Sequence, residues 1–271
     1  LRKKKAIKSG EHRMKIFENI PNFLEYRAGL GSSSIGFVPT MGALHEGHAS
    51  LLSRSTTENE TTVLSIFVNP TQFNNSDDFK HYPKSWEQDL KTAEAAGVDA
   101  IFAPRDPKEM YPDGYKFQVS ESGFSKVLCG AQRVGHFEGM LTVVLKLLNL
   151  ISPDRAYFGE KDYQQLKLVQ GMAEAFFLKT KIIGCATVRE KDGLAMSSRN
   201  LRLSPVERAL APELFRVLQS EKSLDHARDV LTQNGFKVEY LEDHDGRRWI
   251  AAHLGAVRLI DNISIGDLNH G

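Results

Sequence analysis

Ile35-Gly36-Phe37-Val38-Pro39-Thr40-Met41-Gly42-Ala43-Leu44-His45-Glu46-Gly47-His48 carries the decision about fold. Its first four residues are an apolar run that reads as a buried strand, and residues 47–59 read as a helix, so the stretch is a strand running into a helix. His45 and His48 are three residues apart and share one face beside the positive end of that helix. Backbone N–H groups at a helix start favour anions, and imidazole N–H groups can follow charge as it builds on phosphorus. A bare His-x-x-His is most simply a solvated turn. Gly42 and Gly47, which let backbone approach a ligand closely, turn the reading toward a nucleotide-phosphate corner.

Outward from this corner, apolar and β-branched runs recur at residues 62–68, 100–103, 156–158 and 182–188. Helix-like segments lie between and after them, at 85–96, 139–151, 161–177 and 205–220. Ser85 reads as an N-cap, Gly97 as a stop and Pro205 as a first helical position. This alternation predicts parallel strands joined by crossover helices. Four polar loops each follow the carboxyl end of a strand: 39–48, 69–72, 159–162 and 189–200. In an open parallel sheet those ends share one rim, where ligands bind at the reversal of strand order. Beyond about Val188 the pattern changes to helices at 205–220 and 224–233, then strand character at 236–241 and 249–265, a small α+β unit. The connection Met196-Ser197-Ser198-Arg199-Asn200 suits a mobile flap over the rim.

The chain is long enough for one large α/β unit and a smaller partner. Its 35 Lys and Arg against 34 Asp and Glu argue against a nucleic-acid coat or a membrane surface. Arg2-Lys3-Lys4-Lys5 reads as a solvated tail. Residues 1–13 are polar and aperiodic, and we expect them to be a disordered or non-native tail with Met14 as the native initiator. Cys129 and Cys185 lack metal-ligand spacing, so reduced thiols in a cytoplasmic protein are expected. The apolar run 140–151 is too short to span a bilayer, and no signal-peptide pattern is present.

Single surface cations are usually solvated, but Lys161 and Arg199 lie in informative loops. Gly159-Glu160-Lys161-Asp162 offers a hinge, a phosphate charge and a ribose acceptor; Met196-Ser197-Ser198-Arg199 offers hydroxyls beside a guanidinium fork. No P-loop pattern is present. Asn69, Gln72, Gln164 and Gln165 are amides near the same rim, suited to a small hydroxylated carboxylate or to ordinary turn and helix roles. Val143 and Val144 read as core, and His136 as support for the site. Asp89, early in a helix, either complements the helix dipole or holds magnesium.

Taken in order, the runs 37–48, Phe67-Val68-Asn69-Pro70-Thr71-Gln72-Phe73, 154–165 and 187–200 closely resemble the pantoate–β-alanine ligase family of the nucleotidyltransferase superfamily, with similarity from about Met14 to Ile265. The resemblance implies a Rossmann-like α/β domain over 14–187, a smaller α+β lid over 188–271, and a cytoplasmic homodimer. It also implies ATP-dependent joining of (R)-pantoate to β-alanine through a pantoyl adenylate. By it, His45, His48, Lys161 and Arg199 are catalytic. ATP meets Met41, Gly42, Ala43, Leu44, His45, Glu46, Gly47, His48, Gly159, Glu160, Lys161, Asp162, Val188, Met196, Ser197, Ser198 and Arg199. Gln72 and Gln165 hold pantoate, Gln72 also β-alanine, and Asp89 the Mg2+. Lys84 stands where the family usually has Arg, residues 74–78 depart from its common version, and the tail beyond Tyr240 is short.

Two rivals stay open at this point. A nucleotidyltransferase of the same superfamily would keep the nucleotide on its product. A non-enzymatic nucleic-acid or nucleotide-binding module would use residues 2–5 and the flap, against the near-neutral composition.

Overall fold

The computed structural model describes residues 13–74, 76–220 and 223–266. The expected tail at 1–13 lies outside the described residues except for Arg13. Six parallel strands, β1 (Lys15–Phe17), β2 (Ile35–Thr40), β3 (Thr61–Ile66), β4 (Ala100–Phe102), β5 (Arg155–Gly159) and β6 (Lys181–Cys185), form one sheet in the order β1-β4-β3-β2-β5-β6. The chain steps outward from β2 through β3 to β4, then returns to place β5 on the other side of β2. The strand order reverses between β2 and β5, and a crevice opens at their carboxyl ends.

Successive residues of each central strand enter opposite cores. Phe37, Val63, Phe102 and Phe158 pack with Phe23, Phe137, Met140 and Leu148 on one face. Val38, Leu64, Ile101 and Tyr157 pack with Leu51, Leu52 and Ala93 on the other. Because both faces are covered, the strands read in sequence as continuous apolar runs without alternation. The helix Glu46–Glu58 serves the second face, and His136–Ile151 the first.

After β6 come Pro205–Leu210, Glu213–Ser220 and Leu224–Gln233, then an antiparallel sheet of β7 (Phe236–His244), β8 (Arg247–Leu254) and β9 (Val257–Ser264). Its own core joins Leu214, Val217, Leu218 and Leu231 to Ile250, Ala252 and Leu259.

Several expected elements differ in detail. The helix read over 205–220 is two helices, because Pro212 has no N–H to continue the first. The run 249–265 is parts of two strands, turned at Gly255 with φ +56°. The last expected parallel strand stops at Cys185, three residues short of Val188, where the chain leaves the sheet for the flap. Lys15–Phe17, which the recurring apolar runs did not include, is the edge strand β1, too short to display a period.

Candidate active site

The loop from β2 to the helix Glu46–Glu58 is held by hydrogen bonds within the chain. Gly42 and Ala43 have positive φ, +79° and +52°. The following N–H groups point at one buried carboxylate: Asp89 accepts from Ala43 N at 2.9 Å through Oδ2 and from Leu44 N at 2.8 Å through Oδ1. Ser85 Oγ donates to Asp89 Oδ1 at 3.0 Å instead of capping its own helix. A carboxylate taken out of water needs such donors.

His45 is the N-cap of Glu46–Glu58, an unusual choice where Ser, Thr, Asp or Asn is normal. Its Nδ1 accepts the Gly47 N–H at 3.1 Å, and His48 Nδ1 accepts the His45 N–H at 3.3 Å. A Cβ on residue 47 would sit 2.8 Å from His45 Cε1, so glycine is what lets the ring fold over the helix start. Because both Nδ1 atoms accept, both protons must sit on Nε2. Burial, then the nearby Lys161 charge, lowers the His45 pKa to about 4; burial, His45 and Lys161 lower that of His48 to about 3. The pair is therefore neutral at physiological pH, each ring offering one N–H, with centroids 4.1 Å apart.

These residues border a cavity of about 230 Å³ at the β2–β5 crevice. Met41, His45, Gly47 and His48 come from the first loop, Gln72 from the turn Pro70–Gln72, and Gly159, Lys161, Asp162 and Gln165 from the segment after β5. Val188, Met196, Ser197, Ser198 and Arg199 come from the flap. The flap is held by a bridge between Arg189 and Ala195 and by Met196 N–H to Val188 O at 3.0 Å. Arg199 donates to Asp78 Oδ2 at 2.9 Å, and Arg202 to Asp78 Oδ1 at 2.8 Å. Burial raises the Asp78 pKa, but the two guanidinium groups more than offset it and leave it lowered.

The remaining expected contacts are placed elsewhere. Gly42, Ala43, Leu44, Glu46 and Glu160 do not border the cavity. Ala43 and Leu44 are buried, and their N–H groups serve Asp89. Asp89 itself is 2% exposed with both oxygens committed, so it fastens the loop and does not present a ligand oxygen to the cavity. Among the described residues no group of three or more His, Cys, Asp or Glu side chains is placed to hold a metal ion. Asn69 is buried and locks Gln72, donating to Gln72 Oε1 at 2.9 Å while accepting from Tyr111 Oη at 2.6 Å. Gln164 is spent on the backbone of Phe124, Val127 and Cys129. Val143 and Val144 belong to the core and also line the cavity. His136 Nδ1 donates to Gln72 O at 2.8 Å. Arg133 and Tyr82, which also border the cavity, carry no motif that sequence reading could have used.

The family profile described as pantoate-beta-alanine ligase matches residues 15–264. The chain belongs to the pantoate–β-alanine ligase family. It is 55% identical to the pantothenate synthetase of Bdellovibrio bacteriovorus over 86% of this chain and 93% of that protein. With the pantothenate synthetase of Legionella pneumophila strain Lens it shares 50% identity over 92% of this chain and 99% of the relative. A solved pantoate-beta-alanine ligase from Francisella tularensis, complexed with beta-gamma ATP and beta-alanine, superposes with a TM-score of 0.90 at 41% identity, covering 93% and 98% of the two chains. Pantothenate synthetase from Thermus thermophilus gives 0.86 at 39% identity, covering 93% and 99%. As a member of this ligase family, the chain is an enzyme that condenses pantoate with β-alanine in an ATP-dependent reaction.

Proposed function

We propose that the cavity carries out this condensation in two steps through a pantoyl adenylate. In the first, a pantoate carboxylate oxygen attacks the α-phosphorus of ATP; the new P–O bond forms as the bond to the pyrophosphate oxygen breaks. In the second, the free amine of β-alanine attacks the acyl carbon, AMP leaves with the bonding pair, and the nitrogen loses a proton. Such transfer at phosphorus needs alignment and charge stabilisation more than covalent help.

What supports this reading is the convergence on one cavity of two neutral imidazole N–H donors, Lys161, the Arg199 flap and the amides Gln72 and Gln165. His45, His48, Lys161, Ser197, Ser198 and Arg199 would contact the ATP phosphates, Asp162 and Gly159 the ribose, and Val188 and Met196 the adenine. Gln72 and Gln165 would hold pantoate, Gln72 facing β-alanine as well. Both histidines act as hydrogen-bond donors and not as acids, since their low pKa values leave them unprotonated near neutrality.

The side chains do not fit a magnesium held by the protein, and no step is assigned to one. Magnesium would arrive with the triphosphate, whose oxygens and water complete its octahedron. The family reading adds a cytoplasmic homodimer, which light scattering on the purified chain would test. Among the described residues no helix is long and apolar enough to cross a membrane.

The deciding experiment incubates the chain with ATP, magnesium, pantoate and β-alanine, omitting each in turn. Pyrophosphate released without β-alanine, with amide and AMP appearing once the amine is added, is the expected result. A nucleotide retained on the product would instead favour the rival nucleotidyltransferase.

A further inference from the structure

We infer that Arg133 anchors the carboxylate of the amine substrate, the group that separates β-alanine from a plain alkylamine. This rests on the two-step reading above. Arg133 follows the short helix Cys129–Gln132 and borders both the 230 Å³ cavity and a second one of about 440 Å³, each of which Lys161 and Asp162 also line.

Four arginines line these two cavities, and three are already paired. Arg199 and Arg202 share Asp78, and Arg258 meets Glu239 at 2.8 Å. Arg133 has no carboxylate partner among the described residues. It donates to neutral acceptors, from Nη1 to His136 Nε2 at 3.0 Å and from Nη2 to Gln72 O at 3.3 Å. Since His136 Nε2 accepts, its Nδ1 carries the proton given to the Gln72 carbonyl. The buried imidazole thus clamps the guanidinium against the turn that bears Gln72. Burial, with repulsion from Arg258 and Arg199, lowers the Arg133 pKa. A part-buried cation without a counter-charge is costly, and a monoanion in the cavity offsets that cost.

Two arguments choose the anion. The phosphate donors come from the histidine loop, the Lys161 turn and the flap, whereas Arg133 is hydrogen-bonded to the turn that carries Gln72, the amide assigned to both organic acids. Once pantoyl adenylate has formed, the pantoate carboxylate is consumed, and β-alanine brings the one free carboxylate of the second step. A planar guanidinium with unspent N–H groups matches it in bidentate fashion, which lysine cannot.

The test is steady-state kinetics on the full chain with Arg133→Ala and Arg133→Lys, using β-alanine and its neutral analogue 3-aminopropanamide. Loss of a charged hydrogen-bond pair should raise KM for β-alanine about 10- to 100-fold in Arg133→Ala, with Arg133→Lys between it and the unchanged chain. Preference for β-alanine over the amide analogue should fall by a similar factor. The rise in KM for β-alanine should exceed any change in KM for pantoate or ATP by at least about tenfold, and far-ultraviolet circular dichroism checks that the variant is folded. An unchanged KM for β-alanine, or a rise confined to pantoate or ATP, overturns the assignment. Failure of the unsubstituted chain to release pyrophosphate without amine would refute the two-step order instead, and the β-alanine KM and analogue preference would still decide the role of Arg133.

Discussion

His48 is the third residue of its helix, where a glutamate or glutamine would take the His45 N–H equally well, so its imidazole is there for its second nitrogen. With Nδ1 spent on the His45 N–H, only Nε2–H is free to meet developing charge. Replacing His48 with Ala should lower amine-independent pyrophosphate release by about 10²- to 10³-fold, equivalent to about 2.7–4 kcal/mol of barrier, while pantoate saturation changes little. Rapid-quench measurement of pyrophosphate checks this; equal rates would remove His48 from the mechanism. Asp89→Asn puts an amide where two backbone N–H groups need acceptors. It should cost about 1–3 kcal/mol of stability and slow turnover, with the magnesium concentration for half-maximal rate unchanged. A steep rise in that magnesium requirement without a drop in melting temperature would return Asp89 to the role of metal ligand.

At the scale of elements, the helix His136–Ile151 positions the organic-acid wall by packing closely against the turn Pro70–Gln72. A Cβ on residue 139 would lie 2.4 Å from the Thr71 carbonyl oxygen and 2.8 Å from Gln72 N, both backbone atoms unable to yield cheaply. Gly139→Ala should therefore destabilise the chain by about 1–3 kcal/mol and raise KM for pantoate as Gln72 is displaced. Urea unfolding and pantoate titration read the two effects; a fully stable variant with normal pantoate saturation would contradict this account. The same element shows what sequence could reveal. Its apolar stripe and the four central strands were legible because burying both sheet faces demands unbroken apolar runs. The edge strand β1 was not, since three residues leave no period to read, whereas the break at Pro212 was legible as a proline within a helical pattern and the reading over 205–220 passed over it.

Across the whole molecule, acid should act through three imidazoles. His45, His48 and His136 have their pKa values lowered from 6.5 to about 4, 3 and 3, with burial the largest cause in each. Between those values and 6.5 the unfolded chain binds more protons than the folded one. Stability is thus full above the unfolded pKa and falls as pH drops through it toward 4. Urea unfolding should show this decline, with its slope between about pH 6 and pH 5 reduced by roughly one proton in His136→Asn. A slope unchanged by that substitution would show that His136 does not contribute.

Sequence alone determined the α/β class, the alternation that builds the sheet, and the loops that carry His45, His48, Gln72, Lys161 and Arg199, because local composition and spacing record which faces are buried and which turns are polar. Only the tertiary structure decided that the strand order reverses between β2 and β5, gathering those loops into one cavity. It alone turned Asp89 inward to hold the histidine loop, spent Asn69 and Gln164 on neighbouring backbone and side chains, and left Arg133 clamped without a carboxylate partner among the described residues. Those outcomes depend on which donors and acceptors meet across long stretches of chain, and spacing along the sequence does not encode such pairings.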